Sequence, residues 1–473
     1  MRKSVVIPII VLLTLIAGAA SYVIADIYDK VPGILTMKPP SEAYSLPTIQ
    51  VAGIDYRELT GDDADTPMPD PQAVQARIEA FQHDVAQAGA DDHDKPAPPT
   101  YSIRILDTLS GKVLAQSNAD TELTPASTNK VFSAIAALKV LGPKHRFTTQ
   151  CQREGSTIYL VGGGDQLLAR ESGNGIEARG YAGVKDLAVK CAAALHNDAK
   201  DSTRPFRIAL DDTIYSTPRE HPDWYTHAVA EYGGPVDPLA FDTGRVDLRW
   251  SGFYSDPAME VGKQFLAKIK EAGVEVEGDV VREKTPDSAK KLADIESATV
   301  EQVVDFMLTT SNNVLAENMC FASAVKAGKE ASFEGGTQTV RETLSKIGID
   351  TTHLKNHDCS GLSVDGKANA QVLTDTLQTV AADKNAHLKA VSYGLPIAGL
   401  TGTLDKRFLD LDVKGTVRAK TGSLPNSRAL AGFLRTQNGR TLTFAFIINS
   451  ESATYLSSAL EHLDKTLDDL AKL

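Results

Sequence analysis

Pro125-Ala126-Ser127-Thr128-Asn129-Lys130, followed by the apolar run Val131 to Val140, is the stretch on which the reading of this chain turns. A Ser-x-x-Lys at the start of a helix puts the serine hydroxyl and the lysine amine one turn apart on the same face, within reach of each other. Serine at its ordinary pKa is a weak nucleophile, whereas a lysine partly desolvated in a closed site can lose its proton near neutral pH. The pair reads as a nucleophile beside a base. Both residues are common, and a chain of 473 residues should carry about one such spacing by accident. Two later signals, Ser311-Asn312-Asn313 and Lys420-Thr421-Gly422, change the weighing. The three in this order form a recognised catalytic set.

Acyl transfer by a serine needs a nucleophile, a base, a proton route to the leaving amine and donors for the oxyanion. Ser127 and Lys130 fill the first two roles, and Ser311, ahead of an expected helix over 313–324, is the candidate proton relay. Asn313 is expected to orient a substrate amide. Lys420, in the strand-like Gly415 to Lys420, is expected to hold a substrate carboxylate. Gly422 lets the backbone approach the substrate closely, and the N–H groups of Ser127 and Ser423 are the expected oxyanion donors. Each motif also has a plain structural reading: Ser311 to Asn313 as a helix N-cap, Lys420 to Gly422 as a strand end. No Ser-His-Asp arrangement can be placed among the histidines.

Outward from these motifs, Tyr101 to Leu106 and Val113 to Gln116 read as a hairpin, as do Ser427 to Thr436 and Thr441 to Ile448 around Asn438-Gly439. Tyr455 to Leu473 reads as an amphipathic terminal helix. Strands at both ends with helices between predict one sheet assembled from the two ends of the chain. The long interval from Ser127 to Ser311 implies an insertion, with short strands expected at 146–150, 157–161, 206–210 and 246–250. Gly162-Gly163-Gly164 is read as a tight turn, since no Gly-Lys-Ser/Thr follows.

Composition narrows the classes further. With 42% hydrophobic and 23% charged residues the chain is an ordinary globular one, and its net charge of −12 with pI near 5.4 argues against nucleic acid as a partner. Arg2 and Lys3 precede an uncharged apolar run from Ser4 to Ala25, an export segment in form. Ala17-Gly18-Ala19 offers a cleavage site, yet a run of about 20 residues is also long enough to span a bilayer uncut. A cleaved peptide and a retained anchor both stay open; either puts the body outside the cytoplasm. The expected plan is 1–25 signal or anchor, 26–98 stalk with a short helix at 71–88, 99–145 and 281–473 catalytic domain, and 146–280 inserted domain. Four cysteines in an oxidising compartment suggest Cys151 with Cys191 and Cys320 with Cys359, because each pair then stays inside one folding unit. No metal site is read from them.

Further motifs carry a resemblance. Leu141-Gly142-Pro143 with Arg146-Phe147-Thr148-Thr149 follows the serine helix, Asp358-x-Ser360-Gly361-Leu362-Ser363 lies midway, and Leu395-Pro396-Ile397-Ala398-Gly399-Leu400-x-Gly402-Thr403-Leu404 precedes the Lys-Thr-Gly. From Tyr101 to the C-terminus the sequence resembles the D-alanyl-D-alanine carboxypeptidase/endopeptidase family of class C low-molecular-mass penicillin-binding proteins. The resemblance implies an α+β, penicillin-recognising serine transpeptidase/β-lactamase-like fold. Its five-stranded antiparallel sheet is covered by helices and carries an inserted strand-rich domain. It implies a serine carboxypeptidase or endopeptidase acting on D-Ala-D-Ala stem peptides or cross-links of peptidoglycan and inhibited by β-lactams, with no cofactor and no metal. Carried over residue by residue, Ser127, Lys130, Ser311, Asn313 and Lys420 are catalytic, and Thr421, Gly422, Ser423 and Leu424 bind substrate.

The chain departs from the family in three places. Its insertion is shorter than in the larger members. Val364 stands where several members carry an arginine for the substrate's diamino-acid side chain, which implies lost preference for a free carboxylate there unless Lys406 or Arg407 takes over. His227 lies near the point in Pro222 to Pro235 where some members place a partner acid. Two rivals remain. A serine β-lactamase needs a second base to hydrolyse the acyl-enzyme, and no Glu-x-x-x-Asn occurs between Asn313 and Lys420. A non-catalytic wall-binding protein would not need the full set.

Overall fold

A computed structural model describes residues 66–90, 96–197, 205–226, 230–247, 252–382 and 387–473. The expected export segment, most of the stalk and His227 lie outside these residues. In chain order the described elements begin with helix α1 (Pro71–Ala90), strands β1 (Thr100–Asp107) and β2 (Val113–Ser117) and, after the 3-10 turn Ala126–Asn129, helix α2 (Lys130–Val140). An excursion follows: β3 (Arg146–Glu154), β4 (Thr157–Val161), β5 (Asp165–Leu168), α3 (Val184–Asn197), β6 (Arg207–Asp211), β7 (Leu239–Phe241), α4 (Pro257–Glu271), β8 (Val281–Arg282) and β9 (Lys290–Thr299). The chain then forms α5 (Val300–Thr310), α6 (Asn313–Lys326), α7 (Phe333–Lys346) and α8 (Ala370–Ala381). It closes with β10 (Val417–Leu424), β11 (Ser427–Arg435), β12 (Thr441–Asn449) and α9 (Ala453–Ala471).

The two ends of the chain build one five-stranded sheet in the order β10-β11-β12-β1-β2, antiparallel at every pair. Its alternation is apolar on both faces because both are covered. Ala429, Ala431, Phe433, Ala445 and Ile447 point into a core shared with α2, α5, α6 and α8. Leu430, Leu434, Phe444, Phe446 and Ile448 point the other way, against α1 and α9.

The helix expected inside the stalk therefore belongs to the catalytic body. Val74, Ile78, Phe81 and Val85 form its buried stripe, each burial worth roughly 1.5–3 kcal/mol, and Gln75 Oε1 accepts from the Gln116 N–H at the edge of the sheet. Apolar spacing revealed the helix; nothing local revealed that the sheet face needed it.

The excursion has its own core, in which Cys151, Ile158, Leu160, Leu187, Cys191 and Phe265 meet. Its five-stranded sheet runs β8-β6-β4-β3-β9 and mixes parallel with antiparallel pairs. Arg146 stands opposite Thr299, so this sheet closes at the end of β9 rather than near 280. The strand expected at 246–250 is absent at Val246 and Asp247, and the remainder falls outside the described residues. Both expected disulfides form, Cys151–Cys191 within the excursion and Cys320–Cys359 within the body. No helix among the described residues is long and apolar enough to cross a membrane.

Candidate active site

The 3-10 turn that carries Ser127 runs straight into α2, whose first residue is Lys130. Ala126, just before the serine, has φ +48°, a left-handed conformation that costs a non-glycine residue roughly 1–2 kcal/mol. Two glycines from distant motifs make room for it. A Cβ on Gly361 would lie 2.0 Å from the Ala126 carbonyl oxygen, and one on Gly422 would lie 2.7 Å from that of Pro125. The strained turn is thus clamped between the 358–363 loop and β10.

Lys130 is fully buried, and its Nζ lies 2.9 Å from Ser127 Oγ, 2.6 Å from Asn313 Oδ1 and 2.8 Å from the Ser360 carbonyl oxygen. Burial pulls its pKa down to about 7, while Asp358 and Glu317 pull weakly the other way. Three oxygens thus surround the amine, one for each donor of an ammonium; in the neutral form two N–H groups donate to Asn313 and Ser360 and the lone pair accepts from the Ser127 hydroxyl. Asn313 is held at both ends, since its Nδ2 donates to the Tyr232 carbonyl at 2.8 Å. Beside the substrate role expected of it, Asn313 orients the lysine.

The Ser360 carbonyl is itself held from behind. Fully buried Glu317, one turn beyond Asn313 on α6, accepts from the Cys359 N–H at 3.0 and 2.9 Å and from the Ser360 N–H at 2.7 Å. Burial first, and the Asp358 charge second, push its carboxyl up. Asp358 accepts from the Gly361 and Ser363 N–H groups and from Trp224 Nε1. The Cys320–Cys359 disulfide ties the same helix to the same loop.

Ser311 does not start α6. It is the residue after α5, with φ +56°, and Asn312 is the N-cap, accepting from the Leu315 N–H. The cap reading of this motif therefore holds for Asn312, while Ser311 is freed to face the cleft. Lys420 on β10 is fully buried, and its Nζ finds one acceptor among the described residues, the Thr421 carbonyl at 3.0 Å. Burial and then the Lys130 charge hold its pKa well below the ordinary lysine value.

Ser127, Ser311, Asn313, Thr421, Gly422, Ser423 and Leu424 converge on one cleft of about 660 Å³. Leu424 is largely buried in an aromatic cluster with Trp224, Phe321 and Phe333, against which Val364 also packs. Reading side-chain types missed Glu317 and Ser360, the first because a buried acid looks like an exposed one in sequence, the second because it acts through its carbonyl. It also missed Tyr232 and Arg428, both of which line the cleft.

This site, on this sheet, is that of a penicillin-recognising serine peptidase, and comparison defines the family. The sequence pattern of the D-Ala-D-Ala carboxypeptidase 3 (S13) family matches residues 86–252 and 252–470, and the chain belongs to that family. It is 34% identical over 367 residues to carboxypeptidase DacB of Mycolicibacterium smegmatis, covering 74% of this chain and 76% of that one. It is 25% identical over 461 residues to a D-alanyl-D-alanine carboxypeptidase of an Actinomadura species, covering 79% and 80%. In fold it is similar to penicillin binding protein 4 of Haemophilus influenzae, with TM-score 0.66 and 19% identity over 82% of this chain and 99% of that one. The chain is accordingly a serine-type D-Ala-D-Ala carboxypeptidase with the α+β fold that the motifs predicted.

Proposed function

We propose that the chain cleaves the terminal D-alanine from peptidoglycan stem peptides through an acyl-enzyme at Ser127. The observation that carries this reading is the three-way placement of the Lys130 amine against Ser127, Asn313 and Ser360. Ser127 Oγ attacks the carbonyl carbon of the penultimate D-Ala as its proton passes to neutral Lys130. The oxyanion is received by the N–H groups of Ser127 and Ser423. The C–N bond breaks, the departing amine takes a proton through Ser311, and water later hydrolyses the ester at Ser127. Lys420 and Thr421 hold the terminal carboxylate, while Gly422 and Leu424 shape the strand edge along which the peptide lies.

Cleavage of cross-links follows the same chemistry with a longer leaving amine, and we include it as a second activity. β-Lactams acylate the same serine and leave slowly: no carboxylate lines the cleft among the described residues, so none there activates a deacylating water. The Haemophilus influenzae relative has been crystallised with a β-lactam. The basic, then apolar, N-terminus supports a body outside the cytoplasm, and the Arg146–Thr299 pairing supports bounds of 146–299 for the excursion. A D-alanine release assay on a D-Ala-D-Ala pentapeptide tests the reading: release by the wild type and none by Ser127→Ala is expected, and equal release by both contradicts it.

A further inference from the structure

Two arginines line the cleft, and they are held differently. Arg407 forks onto the Asp464 carboxylate, which commits its charge. Arg428 has no carboxylate partner among the described residues. Its Nη1 donates instead to two neutral acceptors, the backbone carbonyls of Leu424 at 2.7 Å and Ser427 at 2.8 Å. The side chain is half-buried, and burial pushes its guanidinium down from the ordinary arginine value. A cation partly withdrawn from water and met only by carbonyl dipoles gains most from an incoming anion.

The place of this cation along the cleft follows from the sheet. Arg428 stands opposite Ser423 in the β10–β11 register, and β10 is the edge strand. A peptide can add to such an edge as a further strand. Laid antiparallel with its terminal carboxylate at Lys420 and Thr421, it runs back past Ser423 toward Leu424 and the turn to Ser427, where Arg428 is anchored. The side chain that arrives there precedes the D-Ala-D-Ala. Val364, by contrast, packs into the aromatic cluster and does not line the cleft, and exposed Lys406 does not line it either.

We propose that Arg428 is a specificity-determining residue that receives the side-chain carboxylate of the stem-peptide residue immediately before the D-Ala-D-Ala end. This deepens the function proposed above and rests on it. It also reverses the expectation drawn from Val364: the enzyme keeps a preference for the free acid through a different residue. The guanidinium's Nε and Nη2, which no protein acceptor takes among the described residues, supply two parallel donors to the carboxylate.

The test uses the purified full-length protein and two pentapeptides that differ only in whether that side-chain carboxylate is free or amidated, read as kcat/KM for D-alanine release. The wild type should prefer the free acid by about 10-fold, equivalent to ~1.4 kcal/mol. The preference should fall to within about 2-fold in Arg428→Gln and persist in part in Arg428→Lys, which keeps the charge without the fork. A wild-type ratio near one overturns the proposal, and so does a ratio unchanged in Arg428→Gln. A third peptide with an amidated C-terminus guards against the nearest misreading: loss of discrimination against it in Arg428→Gln, with the side-chain preference intact, assigns the arginine to the terminal carboxylate and also overturns the proposal. Should Arg428→Gln not fold, the wild-type ratio and the Arg428→Lys ratio carry the decision. Failure of the underlying mechanism shows separately, as D-alanine release by Ser127→Ala.

Discussion

Two lysines are fully buried in this site, and they are furnished in opposite ways. Lys130 has a partner for each of its polar needs before any substrate arrives, in Ser127, Asn313 and Ser360. Lys420 has one among the described residues, the Thr421 carbonyl. A satisfied amine at about pKa 7 is finished equipment for proton transfer. An ammonium short of acceptors in a dry site is stabilised when an anion enters. One corner is built for chemistry and the other for recognition.

The sharpest way to break this contrast is to remove each amine in turn. Lys130→Ala should slow acylation by every acyl donor by about 1,000-fold, since an unassisted serine is left. Measuring second-order acylation rates with penicillin and with a peptide checks this, and a loss confined to one of them contradicts it. Lys420→Ala should cost about 100-fold, and chiefly for donors with a free terminal carboxylate. A C-terminally amidated peptide should lose far less, and an equal loss with that peptide removes the distinction between the two lysines.

The pH profile sharpens the comparison without mutation. Lys130 must be neutral to take the proton, so kcat/KM should rise with pH up to about 7 and fall about tenfold per unit below it. Raising the pH strips Lys420 of its proton and weakens the hold on the carboxylate, so the alkaline change should appear in KM rather than in kcat. A flat profile between pH 5.5 and 8 contradicts the assignment of Lys130.

The smallest expected effect on activity compares the disulfides. Each spans about 40 residues and is worth about 4 kcal/mol of stability in the chain-entropy model. Replacing Cys320 and Cys359 by Ser should slow acylation severalfold, because that bridge fixes the loop carrying Ser360 to the helix carrying Asn313 and Glu317. Replacing Cys151 and Cys191 should leave the rate within about twofold.

The same contrast explains what could be read from sequence. The strands of the body were legible because Tyr101 to Leu106 and Thr441 to Ile448 alternate, and the Asn438-Gly439 turn joins neighbours. The three motifs were legible because their chemistry resides in side chains at fixed spacing. The floor beneath them was not. Ser360 acts through a carbonyl, Glu317 through its burial, and Gly361 through a contact with Ala126, and none of these is a property of residue type. α1 shows the same limit at the level of the fold: its stripe was visible, but its partner surface exists only once β1 and β2 are joined by β12 and α9 from the far end of the chain. Arg428 did leave a trace, as one of two arginines near the ends of an otherwise largely apolar strand. Only the register placed it opposite Ser423.

The most direct test of the account is the site of covalent labelling. After brief exposure of the full-length protein to penicillin near pH 8, digestion and mass spectrometry should find a single penicilloyl adduct on the peptide containing Ser127, with much less of it formed at pH 6. An adduct on another serine, or none on a folded protein, would contradict the assignment of Ser127 and Lys130 as nucleophile and base.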